Sequence, residues 1–567
     1  MHHNGIPLRG YKSITRFRHL GMAMLLCATT SVGYGQQAKP NLITGFGQVH
    51  LQVSCNPEVQ ARFDQAVAML HTFSFPEATK TFAAVAQQDP DCGMAYWGLA
   101  ASAVGSLYGG RPGPQAIQGE QAAEKAALLS AKTPRERGYI AAIGVFYKDS
   151  RSASYEARVR AYATALQRLH QEYPDDQEAE IFYAYALSAL GSPTDRTFKY
   201  ELQGAEILEK LHREIPNHPG VLHYLLHCYD HTPLASRGLD AARLLAKTAP
   251  SSPHATEFPA HIFSRLGLWQ ESIEANQAGM HFADDIFFKP HAADFLLYSY
   301  LQTGQDAEAA GVVDSASRLK FLPHLLDAYA GAVIPSRYAV ERQRWDDASS
   351  LTLPAANIDW KLFPHAEAAL VFSRALGEAR LGKVDLAQND LQRLEELQHA
   401  VSSSIENEGV WQRFWATEIQ VNHDMVKSWV LYRQGEIDAA VRLLRQAAEQ
   451  EDSTEKDPVM PGTIIPARQM LGEMLLDAQR PREALEAFET ALRNEPARYW
   501  ELFGAAQAAE RTGDHERATL YYTQLIRQTQ GTDGSRESAK VANEFLARHG
   551  IFTTLASGPG APINLSH

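Results

Sequence analysis

The sequence is poor in cysteine, in basic charge and in long apolar runs. Four cysteines in 567 residues are too few for a scaffold built on disulfides. Acidic residues outnumber basic ones by 66 to 53, which gives a formal net charge of −13. A nucleic-acid-binding surface needs clustered Lys and Arg and is therefore not expected. The mean hydropathy of −0.30 argues against a protein that crosses a membrane many times.

The N-terminus has the composition of a secretory signal peptide. Basic residues between Arg9 and Arg18 precede an apolar run over 20–32, and Gly33 and Gly35 occupy the −3 and −1 positions of a possible cleavage site before Gln36. The run is shorter than the roughly 20 residues that a membrane-spanning helix needs. We therefore expect residues 1–36 to be a signal peptide and 37–54 to be an N-terminal extension. The mature protein is then periplasmic or secreted, with no transmembrane segment after cleavage.

Three cysteines remain after the expected cleavage. Cys55 and Cys92 both lie just ahead of helical segments, so they could pair in an oxidising compartment. Two buried free thiols are the alternative, and the sequence leaves both open. Cys228 has apolar neighbours, which indicates core packing.

An internal repeat dominates the rest of the chain. A small residue is followed four positions later by a large apolar one, and three positions after that by another apolar residue. Small residues let two helices approach, and the large residue one turn later fills the gap. Near the C-terminus the step that begins at Ala484 recurs at Ala518. Three other occurrences of the step are each preceded, five positions earlier, by a glycine (304, 382 and 435) that can form the turn between two helices. The step occurs at Ala78, Phe82, Val85; Ala309, Val313, Ala316; Ala387, Leu391, Leu394; Ala440, Leu444, Ala447; Ala484, Phe488, Ala491; and Ala518, Tyr522, Leu525.

This helix–turn–helix period of about 34 residues resembles the tetratricopeptide repeat (TPR). The resemblance implies an all-α fold, an α-solenoid of roughly ten to twelve TPR-like helical hairpins in one continuous superhelix. Segments 63–100, 133–147, 218–230 and 253–269 are also similar to a widespread bacterial family of exported TPR proteins, mostly uncharacterised. We expect an N-terminal and central array over 55–350, a loop over 351–364, a C-terminal array over 365–548 and a disordered tail over 549–567. Turn-rich interruptions are also expected at 109–114 and 451–462.

Histidines cluster in the middle of the chain. Six of the 22 lie between His218 and His261. Two sets fall on single helix faces, His223 with His227 and Asp230, and His254 with Glu257 and His261. The separation from His223 to Glu257 equals that from His227 to His261, and both match one repeat period, so these pairs should occupy equivalent positions in neighbouring repeats.

The TPR resemblance places these side chains on the concave groove of the solenoid. It implies that the groove binds a protein, a peptide or a small-molecule ligand, because stacked repeats form a long continuous surface. The groove residues are then His223, His227, Asp230, His254, Glu257, His261, His291, Asp294 and Tyr298.

The same residues also permit metal binding. Imidazole and carboxylate suit a divalent transition metal such as Zn, Fe or Cu. The metal hypothesis takes His223, His227 and His261 as ligands, with Glu257 as fourth ligand or as candidate general base, and Asp230 orienting a ligand. Pro259 leaves an alternative in which the helix begins near Phe258 and His254 and Glu257 lie in a loop. A third interpretation is that these side chains only pack in the core. HExxH, P-loop, GxGxxG, CxxC and GxSxG motifs are absent, and the sequence does not decide whether the protein is an enzyme.

Overall fold

The computed structural model describes residues 44–109, 115–129, 132–150, 152–282, 288–319, 325–354, 358–403, 410–532 and 536–551. The predicted signal peptide, residues 37–43 of the extension, the interruption at 110–114 and the tail from 552 lie outside the described residues. Within the described ranges every regular element is a helix, which confirms the all-α prediction.

Successive helices pair into hairpins, and each hairpin packs on the next. The short helices α11 and α12 together form one arm of a hairpin, so the described residues contain twelve hairpins followed by α26, at the upper end of the predicted range. The helices are α1 (Gln60–His71), α2 (Phe75–Gln88), α3 (Gly93–Val104), α4 (Ala116–Leu128), α5 (Pro134–Tyr147), α6 (Tyr155–Glu172), α7 (Gln177–Ser188), α8 (Lys199–Glu214), α9 (Pro219–Tyr229), α10 (Leu239–Thr248), α11 (Pro253–Glu257), α12 (Pro259–Arg265), α13 (Trp269–Met280), α14 (Lys289–Thr303), α15 (Asp306–Ala316), α16 (Leu325–Glu341), α17 (Trp345–Ala348), α18 (Pro364–Arg380), α19 (Val384–Ser402), α20 (Val410–Arg433), α21 (Ile437–Glu451), α22 (Ala467–Asp477), α23 (Pro481–Asn494), α24 (Tyr499–Thr512), α25 (His515–Gln528) and α26 (Glu537–Arg548).

The repeated sequence step packs the hairpins together as predicted. Ala484, Phe488 and Ala491 on α23 are buried. The ring of Phe488 fits between Gly472 on α22 and Gly504 on α24, where a Cβ would lie 2.7 and 2.3 Å from the ring. The small residues are therefore needed for this close helix approach. The step differs in α15, where Val312 rather than the predicted Val313 is buried.

Pro259 divides the sixth hairpin's inner arm without producing a loop. Ser252 caps α11 by accepting a hydrogen bond from the Ala255 N–H at 3.2 Å, and α12 then begins at Pro259. His254 and Glu257 lie in the short helix α11, so the alternative that leaves them in a loop is wrong. The helix is interrupted between Glu257 and His261, because proline cannot continue the hydrogen-bond ladder of α11.

The N-terminal segment is tied to the first hairpins. Cys55 and Cys92 form a disulfide across a sequence separation of 37 residues, which is the first of the two alternatives. Leu51 and Val53 of the extension are buried, and the Ser251 N–H donates to the carbonyl of Gly45 at 2.8 Å. The described part of the extension is thus packed against the array. Cys228 is a buried free thiol, as expected.

Distant hairpins also contact one another, which an open solenoid does not require. The end of α1 packs against α9, where the His71 carbonyl accepts a 2.6 Å hydrogen bond from His223 Nδ1. At the other end, α14 contacts α24, and the Trp269 indole N–H donates to the Ala497 carbonyl at 2.9 Å. The superhelix therefore closes on itself within the chain.

The expected interruption near 451–462 fills part of the concave side. Between α21 and α22, the carbonyls of Gly462 and Thr463 each accept a 3.0 Å hydrogen bond from the buried guanidinium of Arg337 on α16. The loop expected at 351–364 lies between α17 and α18, and Trp360–Leu362 forms a single 3₁₀ turn within it. Among the described residues, no helix combines the length and the apolar character needed to cross a membrane.

Candidate metal centre

The nine residues predicted to line the groove lie in the interior instead. They occupy α9, α11, α12 and α14, together with Asp230 directly after α9. Eight of them expose 6% or less of their surface, and His227 is half-buried. The prediction of an open groove at these positions is therefore wrong, because the chain's own distant segments cover them.

Two of the nine residues form polar contacts outside the histidine centre. The Asp294 carboxylate pairs with Arg337 at 2.8 Å. The Tyr298 hydroxyl donates to Glu495 at 3.1 Å. Both side chains are fully committed to contacts with residues that follow them by 43 and 197 positions.

Three of the remaining residues form a first group of potential ligands, here called the mixed cluster: Glu257, His261 and His291. His261 Nε2 lies 3.1 Å from His291 Nε2, and Glu257 Oε1 lies 3.6 and 3.4 Å from these two nitrogens. A triangle with these sides has a circumradius of about 1.95 Å, so an ion slightly out of its plane would lie about 2.0–2.1 Å from all three atoms. That distance is a zinc–nitrogen or zinc–oxygen bond length.

Asp230 and Arg265 hold His261 in place. His261 Nδ1 donates to Asp230 Oδ2 at 2.8 Å, and the other Asp230 oxygen accepts from Arg265 Nε at 3.0 Å. Burial disfavours the charged form of His261, but the Asp230 and Glu257 carboxylates outweigh it and raise the imidazole pKa. With its Nδ1 proton directed at Asp230, His261 turns Nε2 towards His291 and Glu257. This carboxylate–imidazole arrangement is the one that orients metal-bound histidines.

Glu257 is the least satisfied group of the mixed cluster. Its side chain is fully buried, and neither carboxylate oxygen has a hydrogen bond of normal geometry to another described residue. Burial opposes the carboxylate form, yet the surrounding imidazoles of His291, His254 and His261 hold its pKa well below the usual range. A buried, ionised carboxylate at 3.4–3.6 Å from its neighbours leaves space for a cation among them.

A second group, with the same residue types as the mixed cluster, has all its polar atoms close enough for hydrogen bonds. The carboxylate of Glu178 accepts hydrogen bonds from His71 Nε2 and His218 Nε2, both at 2.8 Å. His71 Nδ1 lies 3.1 Å from the Tyr224 hydroxyl, so the ring is hydrogen-bonded on both sides. This hydrogen-bonded cluster of His71, Glu178 and His218 needs no ion, whereas the mixed cluster has the same residue types at longer separations.

Three histidines next to the mixed cluster form what we call the imidazole cluster: His223, His227 and His254. His223 Nε2 lies 3.1 Å from both His227 Nε2 and His254 Nε2. Burial, with the neighbouring imidazoles, lowers the pKa of His223 and His227 well below the ordinary value. Neutral imidazoles are the form that binds metals.

Aromatic rings enclose the imidazole cluster. Tyr108 stacks on His227 with ring centroids 4.0 Å apart, and Phe73 and Phe288 stack on His254 at 5.4 and 4.5 Å. Phe258 contacts His227 at 4.2 Å and His261 at 4.4 Å, so its ring lies between the two clusters. An apolar shell of this kind restricts water and strengthens electrostatic interactions inside it.

The structure thus divides the predicted ligand set between two clusters. His223 and His227 belong to the imidazole cluster, while His261 and Glu257 belong to the mixed cluster. The spacing of one full repeat period gave the wrong partners. The close pairs have |i−j| of 30 or 31, namely His223 with His254, Asp230 with His261, and His261 with His291. Helices that cross at an angle bring together side chains about one turn out of register.

The sequence does not predict every member of these clusters. It places His254 and His291 in the groove but not in the candidate metal set. The sequence does not single out His71 or Glu178. His71 belongs to the first hairpin and approaches α9 only because α1 packs against that helix, whereas Glu178 lies on the neighbouring helix α7. The sequence does carry one signal for His254 and His291. His254 follows His223 by 31 residues and His291 follows His261 by 30, both slightly less than one repeat period.

Comparisons with known proteins give no family. No protein-family model matches the chain, and no curated protein matches it. Among solved structures, a chain from the structure of Naa15/Naa10 bound to HypK-THB is similar at 13% sequence identity and a TM-score of 0.23, over 86% of this chain and 73% of that one. At this TM-score the likeness supports no statement about function. The chain is an all-α solenoid on the evidence of its own helices.

Proposed function

We propose that this protein binds a divalent transition-metal ion in its interior, at the mixed cluster of Glu257, His261 and His291. One observation carries the proposal: the three donor atoms surround a point at metal–ligand distance while the buried Glu257 carboxylate has no normal hydrogen bond among the described residues. A cation there would compensate a charge that is costly to bury alone.

The donor set restricts which ions fit. Two imidazoles and one carboxylate occur in catalytic zinc sites and in non-haem iron sites, and both leave coordination positions for water or another ligand. Asp230 fixes the tautomer of His261 from the second side of its ring. We therefore expect Zn²⁺ or Fe²⁺ and not Mg²⁺ or Ca²⁺, which prefer all-oxygen sites.

Metal content of the purified chain tests the proposal. The mature protein, prepared without a histidine tag, is stripped with a chelator, dialysed against Zn²⁺ or anaerobically against Fe²⁺, and passed through a desalting column before elemental analysis. We expect bound metal in the native protein and one ion fewer in His291→Gln, because one of the three donor atoms is lost.

His218→Gln is the matched control. His218 is a buried histidine beside a buried glutamate, but it belongs to the hydrogen-bonded cluster, so its replacement should leave metal content unchanged. Circular dichroism establishes that each variant retains its helices. A native protein without metal, or a folded His291→Gln protein with unchanged metal content, contradicts the proposal.

Export from the cytoplasm and membership of the bacterial TPR family stay predictions of the sequence. The Cys55–Cys92 disulfide supports export, because disulfides persist in oxidising compartments. N-terminal sequencing of the protein purified from its natural compartment checks it, since an uncleaved Met1 would contradict the predicted signal peptide.

A further inference from the structure

We infer that the imidazole cluster of His223, His227 and His254 binds a second transition-metal ion, so that the centre holds two ions joined through Glu257. This inference rests on the proposed function and extends it. The separations between the ring nitrogens carry it.

The hydrogen bond at the far side of His223 fixes its tautomer. His223 Nδ1 lies 2.6 Å from the carbonyl oxygen of His71, a distance that requires an N–H donor, since a carbonyl only accepts. In the neutral ring the remaining nitrogen, Nε2, then carries a lone pair. That lone pair points at His227 and His254, whose Nε2 atoms are each 3.1 Å away.

His254 also has a carboxylate beside its ring. Its Nδ1 faces Glu257 Oε2 at 3.5 Å, a separation that does not by itself fix the tautomer of the ring. His254 Nε2 and His223 Nε2 lie 3.1 Å apart in a buried shell of aromatic rings. Either an Nε2 proton of His254 donates to the His223 lone pair, or, with that proton on Nδ1, both nitrogens present lone pairs to a shared cation.

A metal ion fits this position better than a proton, because three nitrogens converge there. A proton joins two nitrogens, whereas His223, His227 and His254 all present donor atoms within 4.8 Å of one another. Two ligand atoms of a tetrahedral zinc ion, each about 2.0–2.1 Å from it, lie about 3.3–3.4 Å apart, close to the 3.1 Å that separates His223 Nε2 from each of the other two nitrogens. Three neutral imidazoles suit Zn²⁺ or a copper ion.

Glu257 connects the two sites, because each of its carboxylate oxygens faces a different cluster. Oε1 belongs to the mixed cluster, at 3.4 Å from His291 Nε2, while Oε2 faces Nδ1 of His254. The same carboxylate would therefore ligate one ion directly and strengthen an imidazole ligand of the other. His227 is the half-buried member of the two clusters, so an ion would exchange with solvent most readily at the imidazole cluster.

Zinc stoichiometry in paired variants tests the inference. Native protein, His227→Gln, His291→Gln, the double variant and the His218→Gln control are loaded with Zn²⁺ as above and analysed for ions per chain. We expect two ions in the native protein and the control, one in each single variant and none in the double variant. His254→Gln replaces His227→Gln if circular dichroism shows that the latter is unfolded, and the expected stoichiometry is the same.

The outcomes separate this inference from the proposed function. One ion in the native protein, retained in His227→Gln and lost in His291→Gln, leaves the proposed function standing and overturns the second site, with a proton then held between His223 and His254. One ion lost in either single variant also overturns it, because the ligands would belong to one shared site. A protein without zinc contradicts both.

Discussion

Glu418 should make the stability of this protein depend on pH. The side chain lies on α20 and is only 8% exposed. Burial raises its pKa to about 7; Lys456 opposes the shift and Glu495 adds to it. The folded protein therefore holds this proton more tightly than the unfolded chain, in which the pKa is near 4.5. Stability should fall as the pH rises from about 4.5 to 7 and the carboxyl must ionise inside the protein.

The magnitude follows from the two pKa values. A difference of about 2.5 between them corresponds to about 3 kcal/mol at pH 8, since one pKa unit is worth about 1.4 kcal/mol. Glu418→Gln cannot ionise, so we expect its free energy of unfolding to exceed that of the native protein by about 1 kcal/mol at pH 5 and by about 3 kcal/mol at pH 8.

Urea unfolding followed by circular dichroism at pH 5, 6, 7 and 8 measures the difference. The control is Glu449→Gln on α21, which removes an exposed carboxyl and should change stability little at any pH. A difference between Glu418→Gln and the native protein that is the same at pH 5 and pH 8 would refute the reasoning, because a constant offset reflects packing and not ionisation.

Two further predictions concern the first hairpins. Replacing Cys55 and Cys92 by serine should lower the free energy of unfolding by about 4 kcal/mol, the chain-entropy value for a loop of 37 residues, and a dithiol should reproduce the loss in the native protein but not in the variant. Gly98→Ala should destabilise by about 1–3 kcal/mol, because its Cβ would lie 2.3 Å from the Phe82 ring, whereas Gly144→Ala, whose Cβ meets nothing within 4 Å, should be neutral or stabilising. Thermal unfolding compares the two alanine variants, and equal effects would contradict the packing argument.

The local part of the fold could be read from the sequence because its determinants are local. The small residue and the aromatic one turn later contact each other within a hairpin or across one interface, as Phe488 does between Gly472 and Gly504. The repeat period therefore predicts both the hairpins and their number. The segment 451–462 reads correctly as an interruption, but its packing into the concave side depends on Arg337, which lies far earlier in the chain on α16.

The sequence predicts most of the residues of the site, but not which of them contact one another. Helical spacing places His223 with His227 on one face, and the structure keeps them together at 3.1 Å. The pairing between hairpins depends on the crossing of the inner helices and on the break at Pro259, neither of which a repeat period specifies. The carbonyl that fixes His223 comes from His71, 152 residues earlier, and no periodic pattern carries that information.

Closure of the superhelix has a consequence for how the array can change. Ordinary solenoids are nearly one-dimensional, so repeats can be added, removed or unfolded from an end at the cost of one interface. Here α1 reaches α9, and the residues around α24 reach α13 and α14, so both ends of the array meet the stretch that carries the two histidine clusters. Inserting or deleting a hairpin between these contacts would move the partners apart. The number of hairpins is thus held fixed by tertiary contacts, and loosening either terminal hairpin should change the geometry of the central histidines.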